Sequence, residues 1–192
     1  LVSSGNIQAN DKISVASNAE NTGNISTGDK FSAKDTRTTG KLVAKNNIDV
    51  KNLTNDGVVA TEAKVKIDGE LKNSGEIQAT NHIKVLSNVE NTGDILTDGS
   101  VSAKDMKTTK KLLAKGKIEV ANLENSGELV TNSSLTIDGK LENIGNIQAI
   151  GKISITQNAK NTGEIVTNNT FTAKDTVTTK KLIAKEGISV DT

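Results

Sequence analysis

The chain has 192 residues, a net charge of +1, no cysteine, proline, tryptophan or tyrosine, two phenylalanines and one histidine. A chain with no cysteine and one histidine has no disulfide scaffold, thiolate metal site or zinc cluster, so no cofactor and no metal are expected. The balanced charge argues against nucleic-acid binding, and no apolar run approaches the ~18–20 residues of a membrane span, so no membrane insertion is expected.

A glycine followed two positions later by an aliphatic residue recurs every 17 or 18 residues, as at Gly5, Gly23 and Gly40. The series continues through Gly57, Gly75, Gly93, Gly127, Gly145 and Gly163, with Lys110 and Lys180 standing in for glycine. A second period of 70 residues lies over the first, because every fourth unit repeats a similar segment. Fixed-period repetition of this kind predicts a repeat architecture of about eleven units.

Within each unit the apolar residues are spaced by two, which is the period of a strand. The first unit has Ile7 and Ala9, then Ile13 and Val15, then Ala19. The third and fifth units repeat the pattern with Leu42, Ala44, Ile48, Val50 and Leu53, and with Ile77, Ala79, Ile83, Val85 and Val89. Each unit is therefore predicted to contain two short strands and a third contact point, with bends between them.

Strands this short bury their apolar face only if each unit stacks on the next, about 4.8 Å away, with parallel pairing. The sequence thus predicts an all-β fold, a parallel β-helix of 17–18-residue coils with a 70-residue superrepeat. The crossover rule for parallel strands predicts a right-handed coil. Residues 1–192 are predicted to form a single β-helix segment, about 50 Å long, of a longer rod. The sequence lacks the motifs of leucine-rich repeats and of calcium-binding rolls, so neither architecture is predicted.

Asn-x-Gly closes most units, and this motif predicts the bends. Asparagine and glycine tolerate left-handed backbone conformations, and stacked asparagine amides can bond each other as a ladder. Threonine replaces asparagine in every fourth unit, at Thr38, Thr108 and Thr178. The predicted turn ladder consists of Asn21, Asn55, Asn73, Asn91, Asn125, Asn143 and Asn161.

The acidic residues predict no catalytic site. Asp35, Asp105 and Asp175 form the most regular acidic column, but they lie four coils, about 19 Å, apart, whereas paired acid–base catalysis needs about 5–10 Å. A dyad would have to combine unlike columns, such as Asp49 with Asp68 or Glu119 with Asp138. His82 follows a bend and has no partner suggested by the sequence, so it is predicted to face solvent. The chain is therefore not expected to be an enzyme.

Two further sets of repeated residues are predicted to have structural roles rather than catalytic or binding ones. The lysine pairs at 110–111 and 180–181 are predicted to balance acidic residues such as Asp105 and Asp175 on a solvated face. One inward slot of the core is predicted to be filled in turn by Phe31, Val101 and Phe171.

The unit ending seen in Asn73-Ser-Gly-Glu-Ile and Asn161-Thr-Gly-Glu-Ile resembles the haemagglutinin repeats of two-partner-secretion exoproteins. That family includes filamentous haemagglutinin adhesins and the CdiA-type contact-dependent inhibition effectors of Gram-negative bacteria. The resemblance extends over essentially the whole chain. It implies a secreted, cell-surface stalk in cell adhesion or virulence that holds a distal tip. The implied partners are an outer-membrane transporter during export and a receptor or glycan on a host or neighbouring cell.

An alternative function is a binding module that recognises a receptor or glycan along an outer ridge. Gln8, Gln78 and Gln148 stand at matching positions of the superrepeat and are predicted to face outward. A polysaccharide-cleaving enzyme is the third interpretation, and the column spacing disfavours it.

Overall fold

The computed structural model describes residues 1–191, which form 29 β-strands and no helix. In chain order the strands are β1 Val2–Ser3, β2 Asn6–Ala9, β3 Ile13–Ser14, β4 Ala19–Asn21, β5 Asn24–Thr27, β6 Phe31–Thr38, β7 Lys41–Ala44, β8 Ile48–Asn55, β9 Val58–Thr61, β10 Val65–Ile67, β11 Leu71–Asn73, β12 Glu76–Ala79, β13 Ile83–Val85, β14 Val89–Asn91, β15 Asp94–Thr97, β16 Val101–Thr108, β17 Lys111–Ala114, β18 Ile118–Asn125, β19 Glu128–Thr131, β20 Leu135–Ile137, β21 Leu141–Asn143, β22 Asn146–Ala149, β23 Ile153–Ile155, β24 Ala159–Asn161, β25 Glu164–Thr167, β26 Thr170–Ala173, β27 Thr176–Thr178, β28 Lys181–Ala184 and β29 Gly187–Val190.

The strands stack as a parallel β-solenoid of about eleven coils, which confirms the predicted fold class. One sheet has 11 strands, and each coil contributes to it one four-residue strand that begins just after the repeated glycine. The other sheet has 18 strands and takes the rest of each coil. Residues 17 or 18 apart are direct neighbours, as Ile77 is of Val59 on one side and of Ile95 on the other.

In six coils the third contact point is a separate strand, which corrects the prediction of two strands per unit, whereas in four others it is the end of an eight-residue strand. Ala19–Asn21 forms β4 and pairs with Thr36–Thr38 of the next coil. Three residues give too short an alternation to identify a strand from sequence alone. Pairing with equivalent segments above and below nevertheless satisfies their backbone groups.

The one-residue difference between coil lengths is absorbed at the corner of the larger sheet. In β8 and β16, which belong to 17-residue coils, one eight-residue strand runs through the corner of the larger sheet. In the 18-residue coil that follows β8, an extra residue splits this strand into β10 and β11. Accordingly Val65 pairs with Ile48 at an offset of 17, whereas Leu71 pairs with Leu53 at an offset of 18. The extra residue behaves as a bulge, which bends the strand without disturbing the register on either side.

One continuous aliphatic core runs along the solenoid from Ala19 to Ala173. Alternate residues of most short strands, and of each end of the eight-residue strands, point into it, which explains the period-two pattern of the sequence. The predicted slot filled by Phe31, Val101 and Phe171 is confirmed, since all three side chains are buried and pair with Ile48, Ile118 and Ile188 of the next coil.

The unit-opening glycines do not adopt left-handed conformations, which corrects the prediction about the bends. Among residues 1–191 the sole positive φ belongs to Gly187. The glycines are instead required by close approach of stacked coils: a Cβ on Gly75 would lie 2.1 Å from the carbonyl oxygen of Gly57. Where Lys110 replaces glycine, the next amide, Lys111 N, lies 3.4 Å from Gly93 O, against 2.9 Å for Asp94 N to Gly75 O. A side chain at this position therefore pushes the coils apart.

Candidate functional site

The seven asparagines of the predicted turn ladder are buried in one column along the rod. Asn55 Nδ2 donates to Asn73 Oδ1 at 2.7 Å, and Asn73 Nδ2 donates to Asn91 Oδ1 at 2.8 Å. Asn125, Asn143 and Asn161 form a second run with bonds of 2.7 Å. Most of these amides also donate to a backbone carbonyl of the next coil. The column therefore joins coils through the interior.

The threonines of the same column divide the ladder into segments. Asn21 and Asn91 donate to Thr38 Oγ1 and Thr108 Oγ1, each at 3.1 Å. Beyond Thr108 the chain of amide bonds stops, and the buried Oδ1 of Asn125 has no partner among the described residues. A hydroxyl reaches less far than a carboxamide, so the bond to the next coil is not made.

Thr108→Asn is expected to raise the free energy of unfolding by about 1 kcal/mol, because the new amide can donate to Asn125 Oδ1 and satisfy a buried acceptor. Chemical denaturation followed by circular dichroism measures the change. Thr109→Asn, at the exposed neighbouring position, is the control and should have little effect. A destabilised Thr108→Asn would show that the ladder cannot be extended through this coil.

A second column of buried polar side chains was not predicted from the sequence. Threonine alternates with alanine at the fourth position of the strands in the 11-strand sheet. Thr131 Oγ1 donates to Gly116 O of the preceding coil at 2.6 Å and accepts from Ser133 N at 3.0 Å. Thr27, Thr61, Thr97 and Thr167 make the same pair of contacts. The strict alternation of Ala and Thr at this unit position was the available signal.

Thr36→Val and Thr131→Val are expected to change stability in opposite directions. Thr36 Oγ1 is buried without a hydrogen-bond partner in the described part of the chain, so replacing it with a methyl group should raise the free energy of unfolding by about 1 kcal/mol. The same change at Thr131 removes two bonds and should lower it by about 2 kcal/mol. Urea denaturation of both variants measures these changes in the free energy of unfolding. Equal changes in the same direction would contradict the roles given to Thr36 and Thr131.

Two members of the regular acidic column, Asp35 and Asp105, make structural bonds between coils. Asp35 and Asp105 accept from Asn52 Nδ2 and Asn122 Nδ2, at 2.6 and 2.7 Å. Asn122 Oδ1 in turn accepts from Lys140 N at 2.9 Å. A Cβ on Gly139 would lie 2.3 Å from that Oδ1, so the glycine leaves room for the amide. These carboxylates are therefore partnered by neutral amides on the next coil.

Lysines partner three of the four carboxylates of the unlike columns, namely Asp49, Asp68 and Glu119. Lys30 Nζ lies 2.5 Å from Asp49, and Lys117 Nζ lies 2.7 Å from Glu119. Asp68 accepts a hydrogen bond from Lys66 and, by that bond and by its charge, raises the pKa of Lys66 above its ordinary value. Asp49, Asp68 and Glu119 thus each have a lysine beside them, while Asp49 Oδ1 is buried without a hydrogen-bond partner among residues 1–191.

His82 is exposed, as predicted, but it has a serine partner that sequence reasoning missed. Its Nδ1 lies 2.8 Å from Ser100 Oγ and accepts from Ser100 N at 3.3 Å. Ser100 is 18 residues away in sequence, which is one coil, so the pair could have been found by reading along the repeat. The contact ties two successive bends together.

The lysine pairs face different acids from those predicted. Lys110 Nζ lies 3.6 Å from Asp94, and Lys181 Nζ lies 3.7 Å from Glu164. The prediction naming Asp105 and Asp175 was wrong because partners come from the preceding coil, 16 or 17 residues back, rather than from nearby residues in the chain.

The three glutamines of the proposed ridge are exposed at the third position of strands β2, β12 and β22. Successive glutamines are four coils, about 19 Å, apart, and mainly aliphatic residues stand between them. A shallow groove of about 560 Å³ runs beside this column, with Gln78 in its lining, whereas Gln8 and Gln148 lie beyond its ends. The structure therefore does not unite the glutamines in one continuous polar stripe.

Comparisons with protein-family profiles, with curated proteins and with solved structures found no match for this chain. Within residues 1–191 no group of three or more His, Cys, Asp or Glu side chains could hold a metal ion. None of the described secondary structure is a helix long and apolar enough to span a membrane.

Proposed function

We propose that this chain is a stiff stalk segment of a large secreted bacterial adhesin or contact-dependent inhibition effector, with no catalytic activity of its own. The observation that carries the proposal is the unbroken register of the 11-strand sheet. Each four-residue strand pairs with its neighbour through all four positions, from β2 to β28, without a slip. A continuous sheet of this kind resists bending because bending would have to open backbone hydrogen bonds on one side.

The buried side chains add to this stiffness. The asparagine and threonine columns bond many of the coils to a neighbouring coil from the inside, and the core packs the same type of residue at the same place in coil after coil. Each coil thus makes the same kind of core side-chain contact with the coil before it and the coil after it. A stalk that holds a tip away from the producing cell needs this resistance over its whole length.

The export route and location belong to the same proposal. The resemblance of the unit endings to two-partner-secretion repeats favours passage through an outer-membrane transporter and display at the bacterial cell surface. A chain without cysteine can thread a pore unfolded, since no disulfide bond obstructs it. The receptor or glycan on a host or neighbouring cell would then be bound by the tip.

Single-molecule energy transfer tests the stiffness. The chain has no cysteine, so Asn10→Cys and Asn168→Cys introduce unique labels in one outward column, nine coils or about 43 Å apart. We expect one narrow distance distribution near that value. Asn10→Cys with Thr80→Cys, four coils or about 19 Å apart, is the matched control. A broad distribution in the long pair with a narrow one in the short pair would contradict the stalk.

Titration of the labelled chain against host or neighbouring cells tests the alternative of a ridge-binding module. The stalk predicts flat binding curves. Saturable binding that is lost when Gln8, Gln78 and Gln148 are all changed to alanine would instead favour the module, because these side chains are exposed and their replacement should leave the fold intact.

A further inference from the structure

The outward face of the 11-strand sheet carries an aliphatic column. It consists of the third residue of every strand in that sheet, and seven of its eleven members are aliphatic. In chain order the column contains Gln8, Ser26, Val43, Ala60, Gln78, Leu96, Leu113, Val130, Gln148, Val166 and Ile183. Leu96, Leu113 and Val130 follow one another directly at the centre of the rod and are only partly buried.

Charged side chains flank this column on both sides. One flank is formed by the first residue of each strand and the other by the residue that follows its last position. At the sixth coil both flanks are acidic, with Asp94 and Asp98, and at the seventh both are basic, with Lys111 and Lys115. The charges therefore reverse between two adjacent coils, on either side of the paired leucines.

We propose that a second copy of this chain packs antiparallel against this face, about a two-fold axis that lies along the strands between the sixth and seventh coils. That symmetry places the sixth coil of one copy opposite the seventh coil of the other. The flank formed by the first strand residues faces the same flank of the partner copy, and so does the flank formed by the residues that follow the strands. Leu96 then meets the partner copy's Leu113 position, Asp94 faces the Lys111 position and Asp98 faces the Lys115 position. Further out, Lys41 faces the Glu164 position.

The charges discriminate between this arrangement and a parallel one. The antiparallel pair contains six opposite-charge contacts, two each of the three types just named, against two like-charge contacts, between the Glu76 and Glu128 positions. In a parallel pair each coil would face the equivalent coil of the partner copy, and the first flank of one copy would lie opposite the second flank of the other. Lys111 would then oppose the Lys115 position, Asp94 the Asp98 position and Lys41 the Lys45 position, and like charges placed opposite each other disfavour association.

The size of the face fits a reversible dimer. Ten coils at about 4.8 Å and a width of roughly 14 Å give about 650 Å² on each copy, near the lower end of stable interfaces, which bury about 800 Å² per partner. The exposed ion pairs are screened by salt, so association should weaken as ionic strength rises. Such pairing would join two rods side by side over most of this segment.

Sedimentation equilibrium at low salt tests the proposal with charge-swapped variants. The unaltered chain should dimerise, and Lys111→Glu with Lys115→Glu should weaken self-association by about tenfold or more, because acids then face acids. Adding Asp94→Lys and Asp98→Lys to that variant should restore association, since every central pair is opposite again. A parallel pair would not be rescued, because its like-charge contacts persist.

The aliphatic column is tested by Leu96→Ser with Leu113→Ser, which should also abolish the dimer while leaving the thermal unfolding of the monomer nearly unchanged. Leu86→Ser is the control, since Leu86 is 51% exposed and lies off this face.

The orientation of the two copies is tested with single-cysteine chains and a short bifunctional maleimide. Gln78→Cys should cross-link to Val130→Cys, and Gln78→Cys should not cross-link to itself. A chain that stays monomeric at millimolar concentration, or Gln78→Cys self-cross-linking, would overturn the proposal.

Discussion

Asn143→Ala is expected to lower the free energy of unfolding by about 3 kcal/mol. The Asn143 amide donates to Asn161 Oδ1 at 2.7 Å and to the carbonyl of Glu164 at 3.2 Å, and its oxygen accepts from Asn125. Alanine removes all of these bonds in a site that is 1% exposed, and it leaves buried polar groups without partners. Urea denaturation followed by circular dichroism measures the loss.

Asn132→Ala is the matched control for this experiment. Asn132 lies in an exposed bend of the same coil, and surface substitutions of this kind change stability by less than about 0.5 kcal/mol. If the two variants lose similar amounts, the ladder contributes no more than an exposed asparagine does, and its structural role is wrong. A loss confined to Asn143→Ala shows that the interior bonds carry the effect.

Gly75→Ala is expected to destabilise the chain by about 3 kcal/mol, at the upper end of what overpacking usually costs. The added Cβ would lie 2.1 Å from Gly57 O and 2.8 Å from Gly57 N, so backbone atoms of two coils must move apart. The position of Lys110 shows the form of that movement, a lengthened bond between successive coils. Amide hydrogen exchange at Glu76, whose N–H donates to Gly57 O at 2.8 Å, should accelerate in the variant.

Gly5→Ala provides an internal control because Gly5 opens the same repeated segment, but a Cβ added there would meet no atom within 4 Å beyond its chain neighbours. This change should be neutral or slightly stabilising, since alanine restricts the unfolded chain more than glycine does. Equal destabilisation by Gly75→Ala and Gly5→Ala would contradict an explanation based on close approach. It would favour a conformational requirement at every unit-opening glycine instead.

The repeat predicted most of the fold because stacking converts sequence period directly into spatial neighbourhood. Once residues 17 or 18 apart are placed side by side, the alignment of Ile77 with Val59 and Ile95 follows, and so does the interior column of asparagines. The period-two pattern then decides which side chains face the core. The pairing of residues 17 or 18 apart therefore predicts the strand contacts between coils without any other assumption about long-range contacts.

What the sequence could not supply was the reason for particular residue types. Glycine at a bend suggests a left-handed conformation, and only the structure reveals that Gly75 is needed for close approach to Gly57. Threonine is common on exposed strands, so Thr131 taken alone does not reveal its buried bonds, and only the alternation of Ala and Thr from coil to coil points to them. The contact between His82 and Ser100, and that between Lys110 and Asp94, depend on the neighbouring coil rather than on nearby sequence.

Small-angle X-ray scattering of a chain lengthened by one superrepeat is the most direct test of the stacked-coil account. Duplicating residues 75–144 adds 70 residues and four coils. The maximum dimension should grow by about 19 Å while the cross-sectional radius of gyration stays constant, because each coil adds about 4.8 Å of height. An increase in cross-section, or a length gain far from that value, would contradict the claim that every 17–18-residue unit is one coil.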